Sequence, residues 1–221
     1  LILTTAALAL AAGMSFAETI KIATEGAYEP YNFINDDGEL DGFEIVLGNI
    51  ICERAGLTCV WQTEKWEPMI PNLMSSNYDV IMAGMSVTAE RDSKIDFTEE
   101  YTVPDPSAYV ALSADVDLSG AVIAAQVATI QASFVASMPG VTLVEFATPE
   151  ETIAAVKNGE ADAVLADLVY LQPRAEADAD LVLLDKQEFI GGGVAMGVRE
   201  SDNDLRDKLS VAIKSMKADG T

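Results

Sequence analysis

Two stretches of this chain share one build. Ile70-x-x-Leu73 followed by Asp79-Val80-Ile81-Met82-Ala83-Gly84 can be laid on Ile153-x-x-Val156 followed by Asp162-Ala163-Val164-Leu165-Ala166-Asp167, at a constant offset of 83 residues. Each copy reads as a helix, a turn, a short apolar run and a break at the run's carboxyl end. Apolar runs of that length suit strands buried on both faces. Helices alternating with such strands predict a parallel sheet covered by helices. Two copies this far apart predict an α/β chain of two lobes, whose strand ends face each other across a cleft.

The remaining pattern fits that frame. Residues 19–24 alternate and read as the first strand; Asp36-Asp37-Gly38 is a turn signal. Phe43, Val46, Leu47, Ile50 and Ile51 recur at helical spacing, and Gly56 stops that helix. A second strand follows over 59–62, a short helix over 69–74, then the strand from Asp79. Pro104 and Pro106 break regular structure, and residues 107–112 read as a strand crossing between lobes. The second lobe begins near Ser113. A strand is expected over 121–125, and a helix opens at Thr148-Pro149-x-Glu151, a capping box with proline at the first position. After Gly191-Gly192-Gly193, residues 194–198 read as a second crossing strand. Leu205, Leu209, Ala212, Ile213 and Met216 mark one face of a closing helix. The expected division is 18–112 plus 194–221 for the first lobe and 113–193 for the second.

In open α/β sheets, ligands bind outside the carboxyl ends of strands. Just past the apolar run 80–83, Gly84 opens the backbone, and Ser86, Thr88 and Arg91 follow. Arg91 is a candidate for a carboxylate, with a solvated arginine beside a capping Thr88 as the plain alternative. Asp167 takes the place of Gly84 in the second copy. A carboxylate after an apolar strand is costly unless it is paired, so it is a candidate for an ammonium group; a helix N-cap is the alternative. The loop 127–130 precedes a helix near Gln131, and backbone N–H groups at Thr129 and Ile130 suit an anion. Ser86, the Gly84 carbonyl and Asp167 on an ammonium, with Arg91 and that loop on a carboxylate, compose the head group of an α-amino acid.

Composition removes other chemistries. The chain of 221 residues carries 36 acidic and 13 basic residues and a formal charge of -23, which argues against nucleic acid. It has no histidine, so Ser-His-Asp and Cys-His catalysis and His-ligated metal are absent. Two cysteines cannot close a four-thiolate zinc site. Residues 1–17 are uncharged, rich in Leu and Ala, and end Ser15-Phe16-Ala17, as the back half of a secretory signal peptide does. Cys52 and Cys59 flank Gly56; a disulfide in an oxidising compartment and two buried thiols both fit them.

Taken in order, Ile22-Ala23-Thr24-Glu25-Gly26, Gly42-Phe43-Glu44-Ile45, Met69-Ile70-Pro71-Asn72-Leu73, residues 82–91, Ile95-Asp96-Phe97-Thr98 and residues 161–167 resemble the bacterial extracellular solute-binding proteins of family 3. These are the polar amino-acid receptors of ABC importers, and the similarity is greatest to the lysine/arginine/ornithine, histidine and opine branch. The resemblance implies a two-lobed, type II Venus-flytrap fold, a periplasmic location, a disulfide between Cys52 and Cys59, and a membrane permease as partner. It implies a monomer with no cofactor, no metal and no catalytic residues. It places the family's carboxylate arginine on Arg91, its hydroxyl on Ser86 and its ammonium aspartate on Asp167. The usual Gly-Thr of the second-lobe loop is Ala128-Thr129 here. A further helix is expected past Thr221.

Glu25, directly after the first strand, matches an acid that meets the ligand's side chain in the cationic branch. Tyr28 can cover an aliphatic stem or a cation, and Trp66 can form another wall. The expected ligand is therefore arginine, lysine, ornithine or an opine. A dehydratase-like enzyme on the same fold, with Glu25 as its acid, and the ectodomain of a sensory receptor are the competing function classes.

Overall fold

A computed structural model of the chain describes residues 17–221. The candidate signal peptide lies outside them, apart from Ala17. The elements in order are β1 (Glu18–Thr24), β2 (Ala27–Tyr28), β3 (Asn32–Ile34), β4 (Leu40–Asp41), α1 (Phe43–Ala55), β5 (Leu57–Thr63), α2 (Met69–Met74), β6 (Val80–Ile81), α3 (Ala89–Asp92) and β7 (Asp96–Phe97). There follow β8 (Ser107–Ala111), β9 (Val122–Gln126), α4 (Ile130–Ser137), β10 (Thr142–Phe146), α5 (Pro149–Lys157), β11 (Ala163–Asp167), α6 (Leu168–Ala177), β12 (Val182–Glu188), β13 (Gly197–Val198) and α7 (Asn203–Asp219).

The strands form two five-stranded sheets, ordered β5-β1-β6-β13-β7 and β10-β9-β11-β8-β12. In the first, β1 pairs parallel with β5 and β6, and β13 is antiparallel to β6 and β7. In the second, β9 pairs parallel with β10 and β11, and β8 is antiparallel to β11 and β12. The two sheets thus have one plan, as the repeat predicts. In each, the chain steps to one side of its first parallel strand, β1 or β9, then crosses to the other. The crevice at that reversal is the ligand position of open α/β sheets. It lies past β1 and β6 in one lobe and past β9 and β11 in the other.

Alternation along the strands feeds cores on both faces. Ile22, Val80 and Met82 pack with α1 and α7 through Ile51, Leu209 and Ile213. Ala23, Ile81 and Ala83 turn the other way, onto Trp66, Met69, Leu73 and Tyr78. The second sheet repeats this, with Ala124, Val164 and Val156 on one face and Ile123, Leu165 and Val135 on the other. The capping box of α5 is formed: Thr148 Oγ1 accepts from Glu151 N and the Glu151 carboxylate accepts from Thr148 N. Cys52 and Cys59 are joined in a disulfide that ties the end of α1 to β5.

Two expectations change, and several elements are new. Residues 107–112 were assigned to the first lobe, yet β8 lies inside the second sheet. The crossing ends at Pro106, because neither proline can donate to a ladder while all of Ser107–Ala111 is buried. The second crossing strand, 194–198, is also shorter than expected. Val194 forms isolated bridges to Ser86 and Thr102, and only Gly197–Val198 joins the ladder. Finally, the sheet of β2, β3 and β4, together with β10, α6 and β12, goes beyond the sequence reading.

Candidate functional site

Glu25 sits one residue past β1, and Ala83 and Gly84 lie two and three past β6. Gly84 turns the chain at φ 65°, a left-handed conformation that glycine adopts without steric cost. That turn brings Ser86 and then α3 to the cleft. Thr88 caps α3, its side chain accepting from Arg91 N. The cap and the ligand candidate are thus neighbours, and the cap does not use the guanidinium. Opposite, Thr129 caps α4 through Ala132 N and donates to the Gln126 carbonyl. Ala128, just before it, has φ 59°, a strained backbone for a residue with a Cβ.

One cleft is lined by Glu25, Tyr28, Trp66, Gly84, Ser86, Arg91, Thr129, Ile130 and Asp167, all nine residues singled out from the sequence. Its space, open mouths included, is about 320 Å3. Ala83, Gln126 and Gln131 also line it and were missed. Their signal in the sequence is faint: an alanine ending a strand, and two uncharged amides beside the loop 127–130.

Arg91 is 8% exposed. Its guanidinium donates to the carbonyls of Ser86 at 2.9 Å and Ala128 at 3.4 Å and stands 5.1 Å from the centre of the Trp66 ring. Burial lowers it to about 10, with Asp167 and Glu90 opposing, so it stays charged at neutral pH. Among the described residues no carboxylate is within salt-bridge distance of it. A buried charge without a counter-charge is costly, and its free donors suit a planar carboxylate.

Asp167 holds the N-cap position of α6, but its side chain makes no capping bond. The plain reading therefore holds for the residue's position and not for its side chain. Its carboxylate instead accepts from Tyr28 Oη at 2.8 Å and Gln131 Nε2 at 2.7 Å. Burial pushes it up to about 6, against the pull of Tyr28 and Gln131. Glu25 accepts from Gln126 Nε2 at 2.6 Å, and burial raises it to about 7. Tyr28 stacks on Tyr170 with centroids 4.4 Å apart and planes at 5°; burial and Asp167 keep its hydroxyl protonated.

Several of these bonds cross between lobes. Glu25 to Gln126, Tyr28 to Asp167, and Trp66 Nε1 to the Ala128 carbonyl at 3.2 Å each join the first sheet's loops to the second's. The two lobes are closed upon one another. Chemically, the cleft gathers one buried cation and two carboxylates between aromatic walls, with no histidine or cysteine and, among the described residues, no acidic cluster able to hold a metal.

A two-lobed α/β fold with a charged interlobe cleft is the architecture of a solute-binding protein. Residues 20–221 match the bacterial extracellular solute-binding proteins, family 3, and the chain belongs to that family. It is similar to the octopine-binding periplasmic protein of Rhizobium meliloti, 33% identical over 91% of this chain and 81% of the relative. It is also similar to the putative ABC transporter arginine-binding protein 2 of Escherichia coli strain K12, 29% identical over 96% and 93%. Among solved structures, a periplasmic His/Glu/Gln/Arg/opine family-binding protein from Silicibacter pomeroyi in complex with lysine is 59% identical, with TM-score 0.88 over 91% of this chain and 92% of that one. All three relatives carry the names of binding proteins, which favours a binding role over the dehydratase alternative. No helix among the described residues is long and apolar enough to cross a membrane.

Proposed function

We propose that this chain is a periplasmic receptor that captures an α-amino acid with a cationic side chain and hands it to the permease of an ABC importer. The observation that carries the ligand class is buried Arg91 without a carboxylate partner among the described residues, in the same cleft as two carboxylates. A ligand bearing one carboxylate and two cationic groups balances all three. Arg91, with the N–H groups at Thr129 and Ile130, takes the carboxylate. Asp167, Ser86 and the Gly84 carbonyl take the α-ammonium. Glu25 meets the side-chain cation, between Tyr28 and Trp66. The lysine held by the Silicibacter pomeroyi relative and the ligands in the names of the arginine- and octopine-binding proteins support the same class.

The contacts between lobes exist only when the lobes approach, so a ligand bridging them favours the closed form over an open one. A permease that distinguishes the two forms then reads occupancy. The test is calorimetric. Lysine, arginine or ornithine binds at least about tenfold tighter than glutamine, a difference of about 1.4 kcal/mol. Glu25→Gln removes most of that difference and keeps head-group binding. Glutamine, glutamate or an apolar amino acid bound more tightly than all three cations refutes the reading.

A further inference from the structure

The most buried carboxylate near the cleft does not line it. Glu44 is wholly buried. It sits in the first turn of α1, which opens at Gly42 without a side-chain cap. Its oxygens accept three hydrogen bonds: from Asn32 Nδ2 at 2.7 Å, from Gly84 N at 2.7 Å, and from Tyr101 Oη. Two of these groups can only donate, so they match a carboxylate and neither calls for a proton on it.

Each partner leads to a different functional segment. Gly84 N belongs to the turn past β6, whose Gly84 carbonyl is assigned above to the ligand's α-ammonium. Asn32 relays the contact: its Oδ1 accepts from Gly26 N at 2.7 Å, fixing the backbone directly after Glu25. Tyr101 lies at the start of the first crossing, where Tyr101 N donates to the Val194 carbonyl of the returning chain at 2.8 Å. One side chain therefore ties together both strand-end loops of the first lobe and the place where the two crossings meet.

We infer that Glu44 is a positioning residue for ligand recognition, setting the Gly84 turn for the α-ammonium and, through Asn32, the Glu25 loop for the side-chain cation. Fully satisfied buried polar networks specify one arrangement, and half-satisfied ones loosen it. A glutamine at position 44 keeps the shape but replaces one acceptor by a donor, which faces the N–H of either Gly84 or Asn32. The inference rests on the proposed amino-acid reading, and the test separates the two.

Three probes isolate the contacts. Norleucine is lysine without its side-chain ammonium, and 6-aminohexanoate is lysine without its α-ammonium. Calorimetry on the wild type gives lysine's advantage over each. In Glu44→Gln, lysine affinity falls at least about tenfold, and both advantages shrink at least about threefold. In Asn32→Ser, which removes both bonds of the relay, to Gly26 and to Glu44, and leaves Glu44 its bonds from Gly84 and Tyr101, the advantage over norleucine shrinks more than that over 6-aminohexanoate. Tyr78→Phe removes a buried hydroxyl bonded to the Met69 carbonyl, away from the cleft; it lowers the melting temperature and leaves both ratios as they were. A merely structural Glu44 behaves as Tyr78 does. Wild-type protein that prefers lysine, with both ratios preserved in the two cleft-side variants, overturns the inference alone. If Glu44→Gln does not fold, Asn32→Ser decides by the same comparison. Wild-type protein that does not bind lysine overturns the ligand reading and this inference with it.

Discussion

The proposed contact between Glu25 and a cationic side chain predicts that binding releases a proton. In the closed form without ligand, burial holds Glu25 at about 7 and Asp167 at about 6, against ordinary values of 4.5 and 3.8. A bound cation favours the ionised carboxylates and draws both back toward those ordinary values. Affinity therefore rises with pH until each ligand-free value is passed, then levels off. At pH 6 about a tenth of Glu25 is ionised, which weakens binding about tenfold; half-ionised Asp167 adds about twofold. Lysine should therefore bind roughly 20-fold more weakly at pH 6 than at pH 8, and Glu25→Gln should retain only the roughly twofold part. At pH 7 about 0.6 proton leaves per lysine bound, mostly from Glu25. Calorimetry in phosphate and in Tris, whose ionisation enthalpies differ, measures that release directly. An affinity constant within twofold from pH 6 to pH 8, or an enthalpy independent of buffer, refutes both the depth assigned to Glu25 and its contact with a cation.

Other perturbations have equally definite outcomes. Arg91→Ala should weaken amino-acid binding by roughly 30-fold to several thousand-fold, since removing one partner of a desolvated charge pair costs about 2–5 kcal/mol; titration within threefold of wild type removes the carboxylate assignment. Exported protein should show no free thiol by mass spectrometry. The double Cys52→Ser, Cys59→Ser variant should lose about 2–3 kcal/mol, the value of a short closed loop, melting lower while still binding ligand. Ala128→Gly should raise the melting temperature by about 1–4 °C, because it relieves a left-handed backbone at some cost in unfolded-chain entropy; a lower melting temperature removes that strain argument. Ligand-free stability should fall as pH rises from about 4.5 toward 7, because the unfolded chain ionises Glu25 first. Glu25→Gln should abolish that part of the decline in thermal melts.

The strand ends were legible because the chain changes chemistry there. An apolar run that stops at a glycine, a hydroxyl or a carboxylate marks both a boundary and a group delivered to the cleft. That is why Gly84, Arg91 and Asp167 were readable and converge in the structure. Gln126 and Gln131 were not, because a neutral amide after an apolar run carries no electrostatic cost to betray it. Their importance comes from partners 101 and 36 residues away, Glu25 and Asp167. The sheet of β2, β3 and β4 escaped for another reason. Its strands are two or three residues long, too short for a period, and tertiary contacts define them. In α6, Pro173 sits inside the helix and argues against it locally. The acidic, basic and amide residues at the end of β12 hide a strand on the edge of its sheet. Residues 107–112 were recognised as extended but not as belonging to the second sheet, since membership depends on which strand they meet rather than on their own pattern.

The two sheets also differ in when they can be finished. All five strands of the second, β8 to β12, lie in one uninterrupted run of chain from Ser107 to Glu188. The first sheet needs β13, at Gly197–Val198, and its β7 pairs with no other strand; the core of β1 and β6 also waits for Leu209 and Ile213 of α7. As the polypeptide emerges amino end first, the lobe that starts first is completed last, and the lobe that starts second closes as a unit in between. Hydrogen exchange on stalled nascent chains of increasing length should show β9 and β11 protected before β6 and β7. A chain ending anywhere before Gly197 leaves the first sheet open at β6, an unpaired edge of the kind that invites association with other chains.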